Sequence, residues 1–301
     1  MVCGRAQVND PMMNTVILRW LLPTSALFVF GPLVALPISW LHDPTGGDAA
    51  TPLLSGAPVL GIVSIVLIAI VAIAGGAITA RFTAPGTGRT FAGLCVAWAA
   101  MRTASSWTLF EIHGGGAIIP LAIEGLIVAA AGAAVVLGLT LGGGFHTKET
   151  LKADLKVAIG SPNAAIGIVI GVAAGIVGTV FVAIDGGRGQ SLAGGYFGAV
   201  LAAVAVQLAA QTITPEQARL RASASVLALM VISPLILLVM PGGGSVAEAA
   251  RAGSLVGPGL VQPLDWLVGI LLGVPTGMVW VGSVSEKANQ QAANQARRSV
   301  R

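Results

Sequence analysis

Charge is scarce in this chain. Asp, Glu, Lys and Arg together make up 9% of its 301 residues, against roughly a quarter in ordinary water-soluble domains. Because 55% of the residues are hydrophobic and the mean hydropathy is +0.89, so few charges cannot clothe a surface in water, and a soluble fold is excluded. Cysteine is nearly missing too. Cys3 lies in the N-terminal tail and Cys95 inside an apolar stretch, which excludes a disulfide framework and a cysteine metal site. The three histidines, His42, His113 and His146, stand at the ends of apolar stretches, so no haem is held by histidines within a bilayer. No lysine lies inside such a stretch, which removes a retinal Schiff base, and the GxxxxGK[ST], HExxH and CxxC patterns are all missing. Nothing in the pattern asks for a cofactor. The net charge of +4 is not gathered into a basic groove interleaved with aromatics, so nucleic acid is not an expected partner.

What is present is length and apolarity. A membrane helix needs roughly 20 apolar residues at 1.5 Å each. Eight stretches qualify: Thr15 to Leu41, Ala57 to Ala80, Thr90 to Phe110, Ala117 to Leu141, Ala164 to Ile184, Ser191 to Ala210, Pro215 to Met240 and Leu264 to Val281. No ten-residue alternation of the barrel type accompanies them. The expectation is therefore an all-α polytopic membrane protein of about eight transmembrane helices. Its parts are an N-terminal tail (1–14), a transmembrane domain (15–283) and a basic C-terminal tail (284–301). The first stretch is too long for a cleaved signal, which has an apolar core of about 7 to 15 residues, so it reads as an anchor. Met12 and Met13 offer alternative starts.

Basic residues sort by side. Arg5, Arg19, Arg81, Arg89, Lys148, Lys152, Lys156, Arg219, Arg221, Lys287, Arg297, Arg298 and Arg301 fall on one side, Arg188 and Arg251 on the other, and Arg102 within a span. The positive-inside rule then puts both termini in the cytoplasm of a bacterial-type inner membrane, with anionic lipid headgroups as partners. Trp40, Trp107, Tyr196 and Trp266 fall near the outer boundary as interfacial anchors. Trp98 lies well inside a span, where its N–H needs a partner.

Local signals mark element ends. "TPEQ" from Thr214 is a capping box that opens the seventh span, "SPN" from Ser161 opens the fifth, and "SVAE" from Ser245 opens a brief outer helix that Gly253 ends. "TKETLKADLKVAIG" places Leu151, Leu155 and Ala158 on one face and three lysines on another, the pattern of a short interfacial helix. "TLFEIHGG" from Thr108 echoes "TVFVAIDGG" from Thr179, each at the outer end of an odd-numbered span. The echo suggests four helical hairpins of one polarity; Gly/Ala bias is the other explanation. In the fifth span Gly167, Gly171 and Gly175 form a doubled GxxxG face, which places spans four, five and six at the tight centre or presents a face to a membrane protein partner or second copy.

Three groups are site candidates. Arg102 and Glu124, with Trp98 nearby, lie roughly 15 and 10 Å below the outer ends of adjacent antiparallel spans, so they pair as a salt bridge or line a transport pathway. His42, Asp43, Glu111, His113 and Asp185 sit at outer loop tips. If these tips converge they offer ligands to a divalent cation; otherwise they are solvated. Prolines 23, 32, 37, 234 and 275 mark breaks or ordinary kinks. Three functions are compatible, in this order: a transporter or channel-like component for a small solute or ion, a non-catalytic subunit of a larger membrane complex, and a membrane-embedded enzyme.

Overall fold

The computed structural model describes residues 11–44, 50–143, 147–209, 213–239, 245–255 and 257–284, and no strand occurs among them. Both terminal tails therefore fall largely outside the described residues. α1 (Pro11–Ser25) and α2 (Gly31–Ser39) form a first leg, joined by a π turn at Ala26–Phe30. Then come α3 (Pro58–Phe82), α4 (Pro85–Met101), a short α5 (Ser106–His113) and α6 (Ile118–Gly142). α7 (Lys148–Gly160) precedes α8 (Ala164–Val182), α9 (Arg188–Ala209) and α10 (Pro215–Ile236). After α11 (Val246–Arg251) and the single turn α12 (Gly257–Leu260), the last leg runs Pro263–Val284. It consists of α13 (Pro263–Val268), a second π turn at Gly269–Gly273 and α14 (274–284).

Seven helical stretches among the described residues are long and apolar enough to cross a membrane, and the third, Pro85–Gly142, is 58 residues long. This stretch doubles back. α4 runs against α3, with Gly88 facing Gly76 and Ala80, whereas α6 runs with α3, with Gly138 against Ile73 and Gly142 against Ala77. α4 and α6 are therefore antiparallel, and the seven stretches supply eight legs. The fold is an all-α multi-pass membrane protein.

The expected third span is shorter than Thr90 to Phe110, because the helix closes at Arg102. The N–H groups of Arg102 and Thr103 bond to the carbonyls of Ala99 and Ala100 at 3.1 Å each, and the Thr103 hydroxyl also donates to Ala100 at 2.8 Å. Ser105 then caps α5 by accepting from the Thr108 N–H. The two echoing phrases consequently differ in form: Thr108 lies in a separate helix, whereas Thr179 begins the last turn of α8.

Packing runs inside out relative to a soluble bundle. On α8 the buried residues are Ala164, Gly167, Gly171, Gly175, Gly178 and Thr179, while Ile166, Val169, Val177, Val180 and Phe181 face outward. Lipid is as apolar as a leucine side chain, so small residues go inward to let backbones approach, and large ones meet the lipid. A Cβ on Gly171 would meet Ser225 and Val206, and one on Gly178 would meet Gly198. The glycine face thus packs inward against α9 and α10. This corrects the expected centre: span seven (α10), rather than span four, joins five and six there. α6 instead packs on α10 through Gly125, whose added Cβ would stand 2.1 Å from the Met230 carbonyl oxygen.

α7 lies along α10 as its pattern predicts, with a capping box between Thr147 and Thr150 and with Leu151 and Ala158 buried. Its C-terminus is held by Arg221, which donates to the carbonyls of Ala158 (3.0 Å) and Val157 (3.3 Å) and to the Ser161 hydroxyl (3.2 Å). Ser161 therefore serves the end of α7 rather than opening the fifth span. Gly167 makes this possible, since a Cβ there would collide with the Arg221 side chain.

A direct test of this packing is the pair Gly125→Ala and Gly86→Ala. The first forces a methyl group onto the α10 backbone and is expected to cost about 1–3 kcal/mol. The second meets nothing within 4 Å and should be close to neutral. Thermal unfolding of the detergent-purified protein reads both.

Candidate functional site

Two polar centres interrupt the apolar bundle. The first stands at the end where successive legs turn, and its middle is Asp265, which is fully buried. Arg188 grips both of its oxygens, NH2 to Oδ1 at 2.5 Å and NH1 to Oδ2 at 3.1 Å. Ser191 and the Gln262 N–H, the latter at 3.0 Å, also donate to Oδ2. Arg188 further donates to the Ala100 carbonyl at 2.6 Å, at the end of α4. Around this core the Leu260 carbonyl accepts from Ser106 (2.6 Å) and lies 2.7 Å from the Ser191 hydroxyl, whose one proton it shares with Asp265, and Gln262 donates to the Ala104 carbonyl (2.6 Å) and accepts from Thr103 (2.8 Å). Bidentate pairing with a cation and further donors on Oδ2 are what allow a carboxylate to stay buried. The network ties α4, α5, α9 and the last leg together.

Glu124 lies beside this centre, 1% exposed. Its Oε2 accepts from the Thr51 hydroxyl (2.7 Å) and the Leu53 N–H (3.0 Å), which pins the irregular 50–57 segment into the bundle. The opposite charge whose field reaches it is Arg188. Arg102 does not pair with Glu124: it is exposed at the end of α4, with its guanidinium 6.0 Å from the Trp98 ring. The expected salt bridge fails because the helix stops at Arg102 and leaves it at the leg's end.

Trp98 finds its partner in the first leg. The π turn takes the Gly31 N–H to the Ala26 carbonyl, and the Leu27 carbonyl next in line faces Pro32, which has no N–H. The indole N–H of Trp98 fills that gap at 2.7 Å. Trp266 departs from expectation as well. It is buried, not interfacial, and donates to Ser233 at 2.8 Å.

The loop-tip residues come together only in part. His113 and Asp43 share a hydrogen bond of 2.8 Å. Glu111 is exposed, and Asp185 caps its own turn by accepting from the Gly187 N–H at 2.8 Å. Among the described residues no group of three His, Cys, Asp or Glu side chains is placed to hold a metal.

The second centre lies toward the opposite end, where Arg81, Arg89, Arg219 and Arg221 gather. Three cavities are lined there. One of about 400 Å³ reaches Arg221 and Asn163, and one of about 510 Å³ lies between Thr90, Tyr196, Thr276 and Trp280. The third, about 10 Å³, admits a single water-sized body between Arg89, Arg219, Ser223, Ile270, Leu271 and Pro275.

The chain matches no protein-family model, no curated protein and no solved structure. Function must be argued from these two centres. Sequence reasoning placed Arg188, Arg89 and Arg219 by side of the membrane and did not see them as site residues. Asp265 had a legible signal, because "QPLD" is a capping box with proline at its first helical position.

Two outcomes test this picture. Arg188→Met leaves Asp265 buried without its cation and is expected to destabilise by about 3–5 kcal/mol, read as a lowered unfolding midpoint in detergent. At the turning end, the Ser245 N–H and then its hydroxyl hold the exposed Glu248 carboxyl below its ordinary range. A depressed carboxyl stabilises the α11 cap at neutral pH, and that support fades as pH falls through the folded-state value. The protection factors of the α11 amides, taken against the intrinsic exchange rate at each pH, should therefore fall once the pH drops below the ordinary carboxylate range.

Proposed function

We propose that this chain carries a small solute or ion across a bacterial-type inner membrane, with its basic end in the cytoplasm. The observation that carries this reading is the interruption of the last leg. Its π turn supplies Ile270 and Leu271 to the small cavity beside Arg89, and Leu271 and Leu272 to the groove beside Tyr196. Pro275 cannot supply the N–H that an i→i+5 pattern would bring to the Ile270 carbonyl. Irregular backbone at membrane depth is tolerated where it is buried in protein or lines a cavity, and interrupted helices build solute sites in transporters.

The two ends support the same reading. The Arg188 and Asp265 network closes the turning end, while the cavities lie toward the basic end. Gly269, Gly273 and Gly277 lie directly on the α9 backbone, at the carbonyls of Gly195, Tyr196 and Val200. A side-chain-free seam of this kind permits the small sliding by which packed helices shift. For a docking subunit, the Gly167, Gly171 and Gly175 face would have to stay open to a partner, and it is covered by α9 and α10.

With Arg102 at the turning end, thirteen basic residues stand against three, so the charge bias puts the basic end and both termini inside. Reporter fusions at the C-terminus test this: fluorescent protein should fluoresce and alkaline phosphatase should stay inactive, and the reverse pattern overturns the orientation. Transport is tested by reconstituting the purified chain in liposomes and recording solute-driven currents over a panel of inorganic ions and small organic acids and bases. Protein-dependent flux of at least one solute is expected. If no solute gives flux and native mass spectrometry of gently extracted protein shows a defined hetero-complex, the subunit reading replaces this one.

A further inference from the structure

We propose that the small cavity enclosed by α4, α6, α10 and the last leg is a binding site for an inorganic anion of halide size, held by Arg89, Arg219 and Ser223. This rests on the transport reading for its role and names the class of solute. Arg89 comes from the second turn of α4 and is only partly exposed. Among the described residues it has no hydrogen bond and no ion pair. Arg219, one turn into α10, pairs with Glu216 on its own helix and feels the like charge of Arg89.

Ser223 is an independent pointer. It lies one helical turn beyond Arg219, is 5% exposed, and lines the cavity. A serine in a helix usually donates to the carbonyl four residues back, as Ser225 does to Arg221 at 3.1 Å. Ser223 has no such bond, nor any other among the described residues. A buried hydroxyl and a half-buried guanidinium, both unspent, therefore border the same space.

Charge and size narrow the occupant. Arg89, Arg219 and Glu216 sum to one positive charge. Guanidinium groups offer only donors, so they recognise anions. Like charges held close in an apolar setting are costly unless something of opposite sign lies between them. The remaining wall, Val136, Leu139, Ile270, Leu271 and Pro275, is apolar and offers no competing side-chain acceptor. So small a space excludes an organic carboxylate or a nucleotide and leaves a monatomic anion.

The test measures binding apart from flux. Chloride-35 line broadening is recorded on the full detergent-purified chain, with chloride exchanged for gluconate at constant ionic strength. Wild type should broaden the line saturably, and chloride should raise its unfolding midpoint. Arg89→Gln should weaken chloride binding about tenfold to a hundredfold, and Ser223→Ala should weaken it less. Both variants should unfold in gluconate at the wild-type midpoint or above it, since Arg89→Gln removes a like-charge contact. If wild type shows no saturable broadening, or Arg89→Gln and Ser223→Ala both broaden the line like wild type, the proposal fails. The two readings fail separately. Saturable binding at Arg89 with no flux of any solute in liposomes keeps the anion site and overturns transport. Flux of another solute, with no chloride binding, keeps transport and overturns the site.

Discussion

A carboxylate buried in a medium that cannot solvate it dictates the shape of one whole end of this protein. Asp265 has no exposure, and its bonds come from two pieces of chain: Arg188 and Ser191 at the start of α9, and Gln262, the residue that caps α13. Because leaving any charge unmet at that depth costs several kcal/mol, these pieces must arrive together. The early stop of α4 follows from the same demand. The Ala100 carbonyl at its end accepts from Arg188 as well as from Thr103, and the Thr103 and Ala104 beyond it meet Gln262. A straight span from Thr90 to Phe110 would have left Arg188 and Gln262 without those partners.

Between the legs the constraint is steric. Lipid removes the hydrophobic reward for helix contact, so association depends on close backbone approach. Glycine and alanine line the seams of α8 with α9 and α10, and on α8 the larger side chains, such as Ile166, Val169 and Phe181, look outward. The same small residues make room for the few cations within the bundle. Gly167 leaves a slot that Arg221 fills, and Arg221 uses the slot to close the carbonyl end of α7. Arg221 is thereby satisfied largely by backbone, whereas Arg89, near the same end, has no such bond among the described residues.

Proline sets up the same problem in the first and last legs, with different outcomes. In each, a five-residue π turn precedes a residue and then a proline, so a carbonyl loses its expected N–H. In the first leg Trp98 repairs the loss, and Gly31 gives its ring space to do so. In the last leg no described side chain donates to the Ile270 carbonyl, and the turn borders two cavities instead. The first break is closed by a side chain; the second is left open to a cavity.

Composition and local pattern were enough to establish the class of fold, the approximate legs, the amphipathic α7 and the capping boxes at Thr214 and Ser245. Each of these depends on the solvent or on residues within a turn or two of one another. The seam that covers Gly167, Gly171 and Gly175 was legible together with its partner in span six, but the second partner, α10, was not, since many Gly and Ala faces are interchangeable in sequence. Arg102 and Glu124 looked like a pair because a straight helix brings them near, and four residues of broken helix from Arg102 to Ser105 moved Arg102 to the surface. The bond between Arg188 and Asp265 spans 77 residues, and the cavity beside Arg89 draws its walls from four helices. Neither has a periodic signature, because contacts so distant along the chain exist only once the legs have packed.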